Sequence, residues 1–177
     1  SPAALPAGIF QSALQGELQK VVKWLGKGGL VDTLFRTPIE GGQTATVGLL
    51  HVAAAGGQLE MVRELLKRGA SVDLQGSLGT TALMNAAYRG HLSILLLLLK
   101  HSANPDLQDS SSYTALMAAA DKGQEACVQV LLRAKANTEL LDKDGRTALW
   151  WARTEGHTAT AELIRQHAAP PPQPAAA

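Results

Sequence analysis

Histidine and cysteine are the side chains of this sequence best able to supply a base, a nucleophile or a metal ligand. His51, His91 and His157 belong to positions of a repeated pattern, and Cys127 lies at a position of that pattern that is usually buried. No serine–histidine–aspartate or cysteine–histidine group can be assembled without giving these repeat residues new roles. The sequence also lacks zinc-ligand spacing and a glycine-rich phosphate loop after a strand. It therefore predicts no catalysis, no cofactor and no metal site.

Noncovalent recognition is the remaining chemistry, and some side chains are suited to it. Tyr88, Tyr113, Trp151, Arg89 and Arg146 are of the types that dominate the energetics of protein interfaces. They can act together only if regular elements hold them on one face. The organisation of the chain therefore decides whether they form a site.

The chain repeats itself every 33 residues. Glycine, threonine and leucine each recur at this spacing, as Gly57, Gly90, Gly123 and Gly156; Thr81, Thr114 and Thr147; and Leu50, Leu83, Leu116 and Leu149. Self-similarity at a fixed period of roughly 20–50 residues marks a stacked repeat protein.

Each repeat is predicted to form two antiparallel helices and a projecting hairpin. Thr81 precedes a short apolar-periodic segment, and its hydroxyl can cap the free amides of a helix start. Gly90 ends that segment, because glycine readily takes the left-handed conformation that closes a helix. A second helical pattern of about ten residues follows. A small-residue turn and an extended, partly polar stretch then lead to the next threonine.

These motifs resemble those of the ankyrin repeat family. The family's Thr-Pro-Leu-His opening appears, with alanine for proline, at residues 81–84, 114–117 and 147–150. Its Ala-Ala-x-x-Gly-His-Leu stretch appears at 86–92, and its Gly-Ala-Asp-Val-Asn turn at 69–73. The resemblance implies an all-α, ankyrin-type helical solenoid of five stacked helix-turn-helix repeats with short β-hairpin loops. It also implies an L-shaped stack whose concave face binds other proteins.

The resemblance extends over residues 9–167. The repeats are expected at about residues 9–32, 43–75, 76–108, 109–141 and 142–167, between a lead-in at 1–8 and a disordered Pro/Ala tail at 168–177. The spacing from Gly16 to Gly57 exceeds the period by eight residues, so an insertion is expected at about 33–42, in the hairpin region. Pro38 and a glycine pair argue against regular structure there. Arg153 and Arg165 replace core alanine and leucine, which predicts a polar end cap in repeat five.

Helical phase predicts the exposed side of each first helix. At about 100° per residue, Leu149 and Ala152 point into the core, whereas Trp151 points away from it. In the ankyrin family such outward positions and the hairpin tips line the concave binding face. The resemblance therefore implies a partner-binding surface made of Leu78, Asn85, Tyr88, Arg89, Tyr113, Asp121, Lys122, Lys143, Arg146, Trp151, Thr154 and Glu155. On the outer side of the stack, Leu96 is expected to be an exposed leucine.

Composition limits the class of partner. A net charge of +1 argues against nucleic acid, since affinity for phosphate comes mainly from clustered cations. The wholly apolar run at residues 94–99 is far short of the roughly twenty residues that span a membrane. A single cysteine fits a reducing compartment, so we expect an intracellular protein of the cytoplasm or nucleus. The expected partner is a protein or peptide.

Two alternatives to an interaction module remain open at the level of sequence. The chain could be a targeting or regulatory segment of a larger enzyme or channel, whose chemistry lies outside these residues. It could also be a structural repeat that forms a homo-oligomer through its open N-terminal end or the Leu96 side.

Overall fold

The computed structural model describes residues 7–168, which form ten α-helices and one two-stranded sheet. The helices come in five consecutive pairs: α1 (Ala7–Gln15) and α2 (Leu18–Gly26), α3 (Leu49–Ala55) and α4 (Leu59–Lys67), α5 (Ala82–Arg89) and α6 (Leu92–Lys100), α7 (Ala115–Asp121) and α8 (Glu125–Arg133), α9 (Ala148–Thr154) and α10 (Thr158–His167). The first helix of each pair packs on the first helix of the next pair. These first helices therefore form one continuous layer, and the predicted helical solenoid is confirmed.

The starts and ends of the first helices follow the repeated threonine and glycine. The Thr81 hydroxyl accepts a hydrogen bond from the Met84 amide at 3.2 Å, and Thr114 and Thr147 cap α7 and α9 in the same way. Gly90 closes α5 with a φ of 73°. Both predictions from residue type are therefore confirmed, because each supplies a group or a conformation that a helix end requires.

The insertion between repeats one and two is a regular β-hairpin, so the expectation of irregular structure there was wrong. Strand β1 (Leu34–Pro38) pairs antiparallel with β2 (Thr44–Gly48) around a single 3₁₀ turn. Pro38 ends β1, and both strands of a two-stranded sheet are edge strands, where proline is tolerated. The paired glycines, Gly41 and Gly42, have φ angles of 81° and 73° and make the turn. Within residues 7–168 this is the one hairpin with paired strands, and the later tips are turns.

In repeats two to five, the residue directly before the second helix joins its repeat to the preceding one through a side-chain hydrogen bond. A side-chain nitrogen at this position lies 3.0–3.4 Å from a carbonyl oxygen of the preceding first helix. The pairs are Gln58 with Leu14, His91 with Ala55, Gln124 with Tyr88, and His157 with Asp121. The joining side chain crosses over the glycine that follows that helix, and a Cβ on Gly57 would lie 2.9 Å from Cε1 of His91. His91 and His157 therefore have structural roles.

The core runs along the stack between the two helix layers. Leu98 of α6 is fully buried, whereas Leu96 on the same helix is 48% exposed, as predicted. Cys127 is buried. Arg153 and Arg165 are both exposed on repeat five, in agreement with a polar end cap.

The predicted lead-in and tail fall mostly outside the described residues. Residues 7 and 8 of the lead-in are described, and they begin α1. Of the predicted tail, only Ala168 is described, directly after α10.

Candidate functional site

Five side chains of repeats four and five form an aromatic cluster, which we call the C-terminal cluster: Tyr113, Asp142, Arg146, Trp150 and Trp151. The Tyr113 and Trp150 rings both meet the Trp151 ring edge to face, with centroids 5.4 and 5.1 Å away. The Arg146 guanidinium carbon lies 4.5 Å from the Trp150 centroid and 5.5 Å from the Trp151 centroid. Such cation–aromatic stacking holds the cluster in one arrangement.

Asp142 organises the turn on which this cluster is built. Its Oδ1 accepts hydrogen bonds from the amides of Asp144 and Arg146, both at 2.9 Å. Its Oδ2 accepts one from the indole Nε1 of Trp151 at 3.0 Å. Trp151 is therefore half-buried and tied to its own turn, so the prediction that it points away from the core was wrong. The helical-phase argument considers only the residues of the helix itself, so it does not predict that this turn packs over α9.

An open cavity of about 450 Å³ lies beside the C-terminal cluster. Its walls carry three carboxylates, two cations, two aromatic side chains and one serine, from Asp109, Asp142, Asp144, Lys143, Arg146, Tyr113, Trp151 and Ser111. Asp142 is 9% exposed and its oxygens already accept hydrogen bonds. The cavity can hold a partner side chain by aromatic contact and by polar groups at its rim.

A second group, the Tyr88 cluster, consists of Tyr88, Arg89, Asp121 and Lys122. The Lys122 ammonium lies 4.9 Å from the centroid of the Tyr88 ring, and the Arg89 guanidinium carbon lies 5.9 Å from it. Lys122 also pairs with Asp121 at 3.0 Å. The hydrogen bond with Asp121 raises the pKa of Lys122, and the Tyr88 hydroxyl raises it further. The Tyr88 side chain is 41% exposed, so its ring remains available to a partner.

Tyr113 is the member of the C-terminal cluster that also contacts α7. Its ring contacts Trp151, and its hydroxyl donates a long hydrogen bond of 3.4 Å to the Met117 carbonyl. Burial raises the pKa of Tyr113, and the neighbouring Asp121 and Tyr88 raise it further. Because Met117 lies one turn before Asp121 on α7, Tyr113 connects the C-terminal cluster to a helix that also carries part of the Tyr88 cluster.

The remaining predicted site residues lie outside both clusters. Asn85 is half-buried and uses its side-chain nitrogen to bind the His51 carbonyl at 3.2 Å. The others are exposed: Leu78, Lys143, Thr154 and Glu155. Lys143 lines the cavity of the C-terminal cluster. The structure therefore brings seven of the predicted residues into the two clusters and leaves these five outside them.

The sequence prediction missed an apolar depression at the other end of the first-helix layer, which we call the hairpin trough. It has a volume of about 210 Å³ and is lined by Phe10, Leu14, Thr37, Val47, His51, Val52, Ala55 and Asn85. The signal was present in the sequence, because Ala55 and Gly56 occupy the positions of Tyr88 and Arg89 one repeat earlier. The wall made by Thr37 and Val47 was not foreseeable without the hairpin.

Helix pairs repeated in register define a helical repeat protein. A model of the ankyrin repeat, described as three copies of the repeat, matches residues 9–109, 50–142 and 101–173. The chain therefore belongs to the ankyrin repeat family, whose members generally act as protein–protein interaction modules and are typically non-catalytic. No curated protein matches the chain significantly.

No helix between residues 7 and 168 has the length and apolarity needed to cross a bilayer. Over the same described residues, no group of three or more histidine, cysteine, aspartate or glutamate side chains is placed to hold a metal ion.

Proposed function

We propose that this chain recognises a partner protein through the exposed side of its first helices, the concave face of the ankyrin fold, together with the tips of repeats three to five. The observation that supports this most is the link made by Tyr113, whose ring packs on Trp151 and whose hydroxyl bonds to α7, the helix that ends at Asp121 of the Tyr88 cluster. Because of it, aromatic rings and cations from three consecutive repeats form one surface. Tyrosine, tryptophan and arginine are the residues most often found as energetic anchors of interfaces.

The anchors are held in place before any partner binds. Trp151 is fixed by its hydrogen bond to Asp142, and Lys122 is fixed by Asp121 and the Tyr88 ring. Immobilising a flexible side chain on binding costs about 0.5–1.5 kcal/mol, and this cost falls when the side chain is already ordered. The surface is therefore suited to bind a partner with little rearrangement of its own.

The surface has room for a protein or a peptide segment. A standard interface covers roughly 800 Å² on each partner. The first helices and tips of three repeats supply a continuous face on which such an area can form. We place this recognition in the cytoplasm or nucleus, because the one cysteine is buried and free of any disulfide and because ankyrin repeat proteins commonly work inside cells.

Site-specific photo-cross-linking tests the face that is used. A benzophenone side chain is introduced at position 88 on the first helix, and in a matched protein at position 96 on the second helix. Both positions are exposed, at 41% and 48%. We expect the same protein to be cross-linked reproducibly from position 88 and not from position 96. Cross-linking to a single partner from position 96 alone would overturn the proposal.

A further inference from the structure

The first-helix layer changes character from one repeat to the next. Repeat three carries Tyr88 and Arg89 at the end of its first helix, whereas repeat two carries Ala55 and Gly56 at the equivalent positions. Repeat one carries Leu14 at the position of Tyr88. The large side chains of Tyr88 and Arg89 are therefore preceded along the stack by a region of small and apolar residues. The hairpin trough lies in this region.

The β-hairpin supplies one wall of this trough. Phe35 pairs with Val47 across the two strands, so these directly opposite residues share a face of the hairpin. Phe35 is buried and its ring lies 6.0 Å from that of Phe10 on α1. This contact fixes the shared face towards the helices, which brings Val47 to the trough.

The ring nitrogens of His51 and the side-chain nitrogen of Asn85, which line the trough, are already bonded within the protein. The two ring nitrogens of His51 bind the Gly48 amide at 3.1 Å and the Thr80 carbonyl at 2.8 Å. The Asn85 side-chain nitrogen is bonded to the His51 carbonyl. Most of the lining is apolar, so an occupant gains mainly by burying apolar surface, at about 25 cal/mol per Å².

The size of the trough selects the kind of occupant. Pockets that hold small-molecule ligands usually enclose roughly 300–1,000 Å³. The hairpin trough, at about 210 Å³, is smaller. Its volume suits one aliphatic side chain that belongs to a larger partner.

Positive charge lies directly beside the trough. Arg89 is one helical turn beyond Asn85 on the same helix, and residues four apart are surface neighbours. Arg89 takes part in none of the ion pairs found between residues 7 and 168. The Tyr88 cluster thus contains two cations and one carboxylate, so it favours an anion beside the apolar site.

We infer that the partner presents a peptide segment in which an aliphatic side chain fills the hairpin trough and a neighbouring carboxylate binds Arg89 and Lys122. Arginine and lysine form short, charge-assisted hydrogen bonds with carboxylates. The Tyr88 hydroxyl provides a further hydrogen-bond donor in the same cluster. This inference rests on the proposed function, since it names the partner chemistry that the same face selects.

Selection from a random peptide library displayed on phage tests the inference, with the full chain immobilised as bait. The expected result is enrichment of peptides that combine leucine, isoleucine or valine with a nearby aspartate or glutamate. Ala55→Leu, which fills the trough, and Leu14→Ser, which removes exposed apolar surface, should each weaken binding of a selected synthetic peptide about tenfold or more. Arg89→Glu should remove the acidic preference and favour basic peptides. Leu96→Ala, on the other side of the stack, is the matched control and should leave binding unchanged.

The outcomes separate this inference from the proposed function. Circular dichroism first confirms that each variant is folded, and two independent trough variants guard against a local defect in one of them. Selected peptides that depend on Tyr88 or Arg146 but lack the aliphatic and acidic residues would overturn the inference and leave the proposed function standing. Failure to select any peptide that depends on the first-helix face would contradict both.

Discussion

The indole nitrogen of Trp151 donates a hydrogen bond to Oδ2 of Asp142 at 3.0 Å, and this bond connects α9 to the turn that precedes it. Trp151→Phe keeps a ring in place and removes the donor. Because the Asp142 carboxylate is nearly buried, we expect the free energy of unfolding to fall by about 1–3 kcal/mol. Chemical denaturation followed by circular dichroism measures this change.

Trp150→Phe is the control for that prediction. Trp150 is 39% exposed and packs on Trp151 and Arg146 through its ring face and edge. A phenyl ring can keep those contacts, so the change should stay within about 0.5 kcal/mol. Equal losses for the two variants would show that ring size, not the bond to Asp142, stabilises the turn.

The two sides of α6 should respond differently to truncation. Leu98 is fully buried, so Leu98→Ala should lower the free energy of unfolding by about 2–5 kcal/mol. Leu96 is 48% exposed, and Leu96→Ala should change it by less than about 0.5 kcal/mol. Urea denaturation of the two variants compares them directly. Similar losses would show that the outer side of α6 is covered by something in solution, such as a second copy of the chain.

Repeat one should be the least protected part of the described stack. Its α2 has less contact with α4 than the later second helices have with one another, and the inserted hairpin separates it from repeat two. Because a repeat is stabilised mainly by its neighbours, amides of α2 should exchange with solvent faster than those of α6 and α8. Hydrogen–deuterium exchange measured by NMR tests this. Uniform protection over all five helix pairs would contradict it.

The stability of the fold should depend on the protonation of His51. Burial lowers the pKa of His51, although its hydrogen bond with the Thr80 carbonyl acts in the opposite direction. The unfolded chain therefore takes up a proton more readily than the folded chain once the pH falls below about 6.5. The stability contributed by neutral His51 is present above this value and is lost as the pH falls towards the lower pKa of the folded state.

His51→Gln provides the comparison for this pH dependence. Glutamine can donate a similar hydrogen bond and does not titrate, so its free energy of unfolding should fall less than that of the unmodified chain between pH 7 and more acidic conditions. Thermal denaturation over a pH series gives both curves. Parallel curves would mean that His51 does not contribute to acid sensitivity.

The sequence predicts well the features that recur from repeat to repeat, and poorly those that occur only once in the fold. The caps at Thr81 and the closing conformation of Gly90 follow from local backbone chemistry, which a 33-residue period makes visible. The hairpin occurs once, so no repeat supports its recognition. Pro38 and two glycines were interpreted as breakers, whereas they form a strand end and a turn.

The candidate site shows the same limit. Helical phase correctly places Tyr88 and Arg89 at the surface because their exposure depends on their own helix. It fails for Trp151, because the Asp142 turn packs over that helix and buries part of the ring. The hairpin trough needs contacts among α1, α3 and the hairpin, which are far apart in sequence. Such contacts are tertiary, and no local pattern encodes them.

Recognition through the first-helix face is tested most directly by the affinity of the cross-linked partner for Tyr88→Ala, measured by isothermal titration calorimetry. The Tyr88 side chain is 41% exposed, and the bond from Gln124 reaches its backbone carbonyl, so the melting temperature should not change. We expect binding to weaken at least about tenfold, or roughly 1.4 kcal/mol. Lys23→Ala, on the exposed side of α2, is the control and should bind normally. Normal binding by Tyr88→Ala together with loss of binding by Lys23→Ala would contradict recognition through this face.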